Sequence, residues 1–244
     1  MRKPILFCCV FLLLSGCRIC EPESKSELVV SISFDDNCAG VYQNALPLMN
    51  KYGFRATMFV NSGNLDRPGY LTWEQLTDLY ENYDWEIGGH TIHHTLLTNL
   101  TAAEAEEAVK ADRDILRAHG FEPVSFALPS GLCPLDYYGI ITHYFRNIRT
   151  TFNTSMHNPI DRTNLGAFSS IAPDNGQLYL NRIRSGIMDR ENLVILYFHD
   201  ISTNAPSEYN CTPAQFEKFL KGLADLQVRV LPLDEALSYL EGKE

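Results

Sequence analysis

Two aspartates, Asp35 and Asp36, follow a short β-branched run, and two histidines, His90 and His94, stand four residues apart further along the chain. Residues at that spacing share one face of a helical turn, so the pattern predicts a turn that aims both imidazoles one way. Two imidazoles and a carboxylate form a facial ligand set for zinc or another divalent transition metal, cobalt, nickel or manganese among them. Such a set leaves coordination open for water. The ion lowers the pKa of that water towards about 7 and polarises a carbonyl. A second carboxylate beside it takes the water proton, and a histidine opposite protonates the leaving group. His199, at the end of a late apolar run, is the candidate for that histidine. Together these groups are what metal-assisted hydrolysis of an amide requires.

Such groups need a scaffold, and the chain supplies alternating strand and helix signals. Leu28 to Phe34, Ala56 to Val60, Trp85 to Gly88, Val124 to Leu128, Ile148 to Phe152, Leu193 to Phe198 and Val228 to Leu231 read as strands. Between them, residues 41 to 52 read as a helix ended by Gly53, with Pro47 as an irregularity. Thr72 to Tyr80 and Thr101 to His119 follow, each opening on a capping-box pair, Thr72 with Gln75 and Thr101 with Glu104. Residues 176 to 189, a helix opened by Thr212-Pro213-Ala214-Gln215, and a last one from Leu233 complete the set. Repeated βα alternation implies a mostly parallel sheet with helices outside. Seven or so strands in this length fit a distorted (β/α) barrel, with an open doubly wound sheet as the alternative. The polar residues singled out all fall at the C-terminal ends of predicted strands, where such folds place their sites. No glycine-rich phosphate loop follows the first strand, which argues against a nucleotide site.

The chain has 244 residues and a formal net charge of −10, too acidic for a protein that neutralises nucleic-acid phosphates. Its first residues read as a targeting segment: Arg2 and Lys3, then the apolar run Ile5 to Leu14, too short to span a bilayer. Leu14-Ser15-Gly16-Cys17 resembles the bacterial lipobox, in which the cysteine is lipidated and becomes the new N-terminus. The expected organisation is a signal peptide over residues 1–16, a lipidated Cys17 with a polar tether over 17–27, and one domain over 28–244. That places the domain at the cell envelope, outside the cytoplasm and lipid-anchored to a membrane. Arg18 after the cysteine favours the outer membrane in a Gram-negative cell. An extracytoplasmic setting permits disulfides.

The order of the motifs resembles the polysaccharide deacetylase family, the NodB-homology or carbohydrate esterase family 4 fold. Ser33-Phe34-Asp35-Asp36-Asn37 is similar to its first motif, usually T-F-D-D-G, and His90-Thr91-Ile92-His93-His94 matches its second, H-[S/T]-x-x-H. Glu86-Ile87-Gly88 before it is also usual there, and Leu196-Tyr197-Phe198-His199 fits the last motif. The resemblance implies that Asp36, His90 and His94 bind the metal, that Asp35 is the general base, and that His199 is the general acid. The implied reaction is hydrolysis of N-acetyl groups on a polysaccharide or oligosaccharide, peptidoglycan or chitin-like, releasing acetate. An O-acetyl esterase of the xylan type uses the same machinery.

Two departures from the family pattern stand out. The third motif, usually R-x-P-[Y/F]-G, is here Ala127-Leu128-Pro129-Ser130-Gly131. Pro129 and Ser130 keep the substrate and oxyanion position, with the Ser130 backbone N–H as donor. The arginine that pairs with the base is replaced by Ala127, so the expectation is an Asp35 carboxyl with a raised pKa and a loosened orientation. The fourth motif, with its acid and tryptophan, has no clear match; Asp161 and Asp174 are the nearest acids. These gaps support a second reading, a relative of the same fold that binds glycan without turnover. Of the other histidines, His93 is expected to pack or face solvent, His119 and His143 to sit on helix surfaces, and His157 lies in a loop. Cys38 and Cys133 each lie two residues past a motif, and a disulfide between them would brace the mouth of the barrel.

Overall fold

The structure, a computed structural model, describes residues 28–169, 176–203 and 210–242. The leader and the lipidation site at Cys17 lie outside the described residues, as does Asp174. Seven parallel strands form the scaffold. They are β1 (Val29–Asp35), β2 (Thr57–Val60), β3 (Glu86–Gly89), β4 (Ser125–Ala127), β5 (Asn147–Arg149), β6 (Ala167–Phe168) and β7 (Leu193–Phe198). Their order across the sheet is β5-β4-β3-β2-β1-β7-β6. A parallel bridge between Arg149 and Leu165, just before β6, brings the two ends of that sheet together. The result is a nearly closed barrel. Two further strands, β8 (Asp200–Ile201) and β9 (Asn210–Cys211), pair beside its mouth, and β10 (Arg229–Val230) joins the start of β1.

The helices form where the sequence places caps and apolar stripes. They are α1 (Leu46–Lys51), α2 (Trp73–Glu81), α3 (Ala102–Ala118), α4 (Tyr138–Ile141), α5 (Gln177–Met188), α6 (Pro213–Asp225) and α7 (Leu233–Glu241). Capping boxes open α2, α3 and α6, from Thr72 with Gln75, Thr101 with Glu104, and Thr212 with Gln215. On α3 the buried positions Ala105, Val109, Asp112 and Leu116 follow the helical period; one of them is a carboxylate, and it serves the site. The predicted helix over 41–52 is two pieces. A π-helical turn over Val41–Ala45 precedes α1, so Pro47 falls in the first turn of α1, where its missing N–H costs nothing. No helix among the described residues is long and apolar enough to cross a membrane.

Alternation along the strands divides the apolar residues into two layers. Val30, Ile32 and Phe34 of β1 face the helices and pack with Trp85, Phe198, Phe216 and Phe219. Val29, Phe59, Ala127, Leu165, Leu193 and Ile195 face the barrel interior, with Tyr197 against them. Close packing on β3 requires glycine: a Cβ on Gly88 would stand 2.7 Å from the Phe59 ring. At the N-terminal end of the strands, buried Glu86 accepts hydrogen bonds from Thr57 Oγ1, Ser125 Oγ and the Asp234 backbone N–H. Burial raises its pKa, and its role there is to hold the floor of the barrel, four residues below His90 on the same strand line. His157 is at that lower end too, because its neighbour Met156 bridges Leu193 at the start of β7.

Candidate active site

The C-terminal ends of β1, β3, β4, β5 and β7 converge at the opposite end of the barrel. β1 delivers Asp35 pointing inwards, and the chain then turns with Asp36 at φ 67 and Asn37 at φ 42. That left-handed pair swings the Asp36 carboxylate over the strand end rather than along it. Asn37 Oδ1 accepts the backbone N–H of Asn61, and Asn61 Nδ2 donates to the carbonyls of His90 and Thr91. The turn after β1 is thereby tied to the turn after β3.

His90 and His94 do not lie on a helical turn. Residues 90 to 94 form an irregular turn with Thr91 at φ 63 and His94 at φ 55. Two left-handed residues reverse the chain, and the rings meet edge to face with centroids 4.9 Å apart. The four-residue spacing does bring the rings together, but the conformation that uses it is a turn clamped from below. Buried Asp112 of α3 accepts the His90 backbone N–H at 3.0 Å and the Ser62 hydroxyl at 2.5 Å. Burial pushes the Asp112 carboxyl up to about 6 despite these donors.

Asp36, His90 and His94 form a cluster whose ligand atoms all lie within 4.8 Å of one another. Asp36 Oδ1 stands 3.6 Å from His90 Nε2 and 4.0 Å from His94 Nε2. A carboxylate oxygen and two imidazole nitrogens are the donor types that zinc and similar divalent ions take. Asp36 Oδ1 is buried and accepts no hydrogen bond. An orphaned carboxylate oxygen facing two imidazole nitrogens fits a divalent cation. Burial, ahead of the neighbouring charges, depresses His90 to about 4, which keeps its imidazole neutral and available as a ligand.

Asp35 departs most from its expected surroundings. The position of the expected arginine, Ala127 on β4, is indeed vacant, yet the carboxylate is not without a cation. Arg149 of β5 donates from Nη2 to Asp35 Oδ2. Ala127 and Arg149 are register partners across the β4–β5 ladder. Burial alone would raise the Asp35 pKa, but the Arg149 guanidinium, helped by His90 and His199, holds it below the ordinary value. The expected upward shift is therefore reversed. Asp35 Oδ1 stays buried and accepts no hydrogen bond. The signal was present in the sequence: Arg149 is an arginine at an inward position of a predicted strand.

His199 follows β7, close enough for its charge to act on Asp35, with its ring 5.8 Å from Tyr197. Pro129 is buried and Ser130 exposed on the loop leaving β4, with Ser130 at φ 55. His93 leans on the Gly63 backbone while remaining exposed, and His119 stacks on Trp73 at 3.6 Å. Asp161 is exposed and accepts from Thr163, away from the site. Cys38 and Cys133 do not form a disulfide; both are free thiols. Cys38 lies in a bridge with Tyr70, and Cys133 turns towards the Tyr138 hydroxyl. Burial, with the carboxylates of Asp200, Asp36 and Asp35, pushes Cys38 up to about 12, and burial pushes Cys133 up to about 11.

Comparison with known proteins agrees with this geometry. The family model described as polysaccharide deacetylase matches residues 23–141. YxkH of Bacillus subtilis is 34% identical over 86 residues, 35% of this chain and 30% of that protein. Poly-β-1,6-N-acetyl-D-glucosamine N-deacetylase of Staphylococcus aureus is 26% identical over 126 residues, 46% of this chain and 43% of that protein. The chain thus spans less than half the length of these curated relatives. Among solved structures, a family 4 acetyl xylan esterase from Clostridium thermocellum, in complex with cobalt, superposes with a TM-score of 0.62 at 16% identity. That match covers 88% of this chain and 92% of the esterase, and it supports the barrel beyond the residues the family model reaches.

Proposed function

We propose that this chain, matched over residues 23–141 by the polysaccharide deacetylase family model, is a metal-dependent hydrolase that removes N-acetyl groups from a glucosamine-containing polysaccharide and releases acetate. The observation that carries this reading is the orphaned Asp36 oxygen facing His90 and His94 beside an ionised, arginine-held Asp35. Asp36 Oδ1, His90 Nε2 and His94 Nε2 would hold the cation, zinc in the first instance. The chemistry supplied by a divalent cation there is polarisation of the acyl carbonyl and acidification of water.

The chain's own groups account for the rest. Asp35 Oδ2 is occupied by Arg149, so Oδ1 is the atom that accepts the water proton. A depressed pKa keeps that carboxylate ionised, ready to act as base at neutral pH. The backbone N–H of Ser130 donates to the oxygen that gains charge, and Pro129 fixes the loop that presents it. His199 donates a proton to the departing sugar amine. The poly-N-acetylglucosamine enzyme among the relatives makes the amide of an N-acetylglucosamine unit the first substrate to try. A relative that binds glycan without turnover is less favoured, because that reading drew on a missing cation whose place Arg149 takes.

The motif at Leu14 to Cys17 supports attachment to the cell envelope through a lipid on Cys17, with acetylated glycan as the partner outside the cytoplasm. Acetate release is the deciding assay, with poly-β-1,6-N-acetylglucosamine, peptidoglycan and acetylated xylan offered in the presence of zinc, cobalt or a chelator. Release from the amide substrates that stops with chelator is expected. Release from xylan alone would replace the amidase by an esterase, and no release from any of them would remove the catalytic reading.

A further inference from the structure

Arg149 is an expensive residue to bury. Its side chain is fully inaccessible, and its Nε and Nη1 have no hydrogen-bond partner. A guanidinium in that state loses its hydration and regains it only in part from one carboxylate. The barrel interior compensates with aromatic faces. The guanidinium carbon lies 5.2 Å from the centre of the Phe59 ring and 4.9 Å from that of Tyr197. Phe59 comes from β2 and Tyr197 from β7, so three strands converge on one cation, and a fourth, β1, brings its anion. Buried ion pairs add little to stability over an apolar replacement. A pair held this elaborately, one residue before the metal-facing Asp36, points to a task at the reaction centre.

We propose that Arg149 is the positioning residue for the Asp35 base, supplied by β5 in place of the side chain that Ala127 of β4 lacks. The register supports the exchange. Ala127 and Arg149 face each other across the ladder, and both side chains enter the barrel, Ala127 among the interior apolar residues and Arg149 against Phe59. An arginine on either strand therefore starts from the same level of the barrel beneath Asp35. A methyl group at 127 leaves the room that the longer side chain from 149 takes up. By occupying Asp35 Oδ2, the guanidinium leaves Oδ1 as the one oxygen offered to the reacting water. This assignment rests on the deacetylase reading and adds to it a residue beyond the segment matched by the family model, which ends at 141.

The test uses the full chain in four forms: unsubstituted, Arg149→Lys, Arg149→Ala, and Arg149→Ala combined with Ala127→Arg. Acetate release from N-acetylglucosamine oligomers gives kcat and KM, calorimetry gives cobalt affinity, and thermal melting reports folding. Arg149→Ala should turn over at least about 100-fold more slowly, with KM and cobalt affinity within threefold of the parent. Arg149→Lys, which keeps the charge but lacks the planar group seated between Phe59 and Tyr197, should fall in between. Returning the arginine from the other strand should recover at least tenfold of the lost kcat, which a merely structural role would not produce. A folded, cobalt-binding Arg149→Ala with kcat within threefold would overturn the assignment. If that variant does not fold, a folded double variant with kcat no higher than that of Arg149→Lys would overturn it as well. Absence of acetate release by the unsubstituted chain would instead overturn the deacetylase reading, and this assignment with it.

Discussion

His90 Nδ1 lies 2.7 Å from the carbonyl oxygen of Ala127. A carbonyl only accepts, so Nδ1 carries the hydrogen, and the lone pair of the neutral ring is on Nε2. Nε2 is the atom that faces Asp36. The strand that lacks the expected arginine thus keeps a second duty, fixing the tautomer and the ring plane of a metal-facing histidine from behind.

The two clustered histidines should respond differently when substituted. His94 is partly exposed, so His94→Ala should weaken zinc or cobalt binding by about 100-fold or more while thermal unfolding stays close to that of the parent. His90 is buried and bonded to Ala127, so His90→Ala should lose the metal and also cost about 1–3 kcal/mol of stability. Calorimetry and chemical denaturation of the chelated proteins measure the two effects separately.

The chelated protein should reveal His90 through its acid limb. Its folded pKa, about 4, is below the unfolded 6.5, so the unfolded chain binds the proton first. The contribution is fully present above pH 6.5 and is lost as pH falls towards 4. Asp112 works with the opposite sign: its folded pKa is about 6 against 3.8, so it favours the native state as pH falls over much the same range. The parent curve blends the two. Urea unfolding at about pH 7, 5.5 and 4 should show the advantage of the parent over His90→Gln shrinking with acid, and its advantage over Asp112→Asn growing. A constant difference for His90→Gln would mean that the ring is not held neutral.

Asp35→Asn removes the base while leaving a side chain of the same shape for Arg149. Turnover should slow by about 100-fold or more, with cobalt affinity within tenfold of the parent. Equal loss of metal would move Asp35 from the base to the ligand set.

Much of this was legible beforehand, for identifiable reasons. Thr101 with Glu104 and Thr72 with Gln75 mark helix starts through local chemistry, and both boxes form. Asp35, Asp36, His90 and His94 sit at strand ends because short βα units put them there. What local pattern does not carry is contact across the barrel. Arg149 meets an aspartate 114 residues away, and nothing near it in the chain announces that partner. The turn at 90 to 94 escaped for a similar reason: its shape is imposed by Asp112 and Asn61, donors and acceptors on other elements. β6, two residues long, has too little sequence to show a period.

The cysteines near the mouth should behave as inert thiols. With Cys38 pushed up to about 12 and Cys133 to about 11, almost no thiolate exists at pH 8. Alkylation of either in the native protein should be at least about 100-fold slower than in an unstructured peptide. Intact mass should be the same with and without reductant at these two positions; a loss of two hydrogens linking them would restore the disulfide.

The bridge between Arg149 and Leu165 is also where the sheet closes on itself, with the Thr150 N–H donating to Leu165 and the Leu165 N–H to Ile148. Arg149 therefore sits between the two residues whose backbone groups make the seam, and serves the base with its side chain. Any fluctuation that parts β5 from Leu165 withdraws the guanidinium from Asp35, and whatever tightens that ion pair must, by reciprocity, resist the parting. The amide hydrogens of Thr150 and Leu165 are then remote reporters of the reaction centre. Their exchange should slow when a ligand orders the carboxylate and quicken when Arg149 is shortened, although both amides are engaged in the seam's own hydrogen bonds.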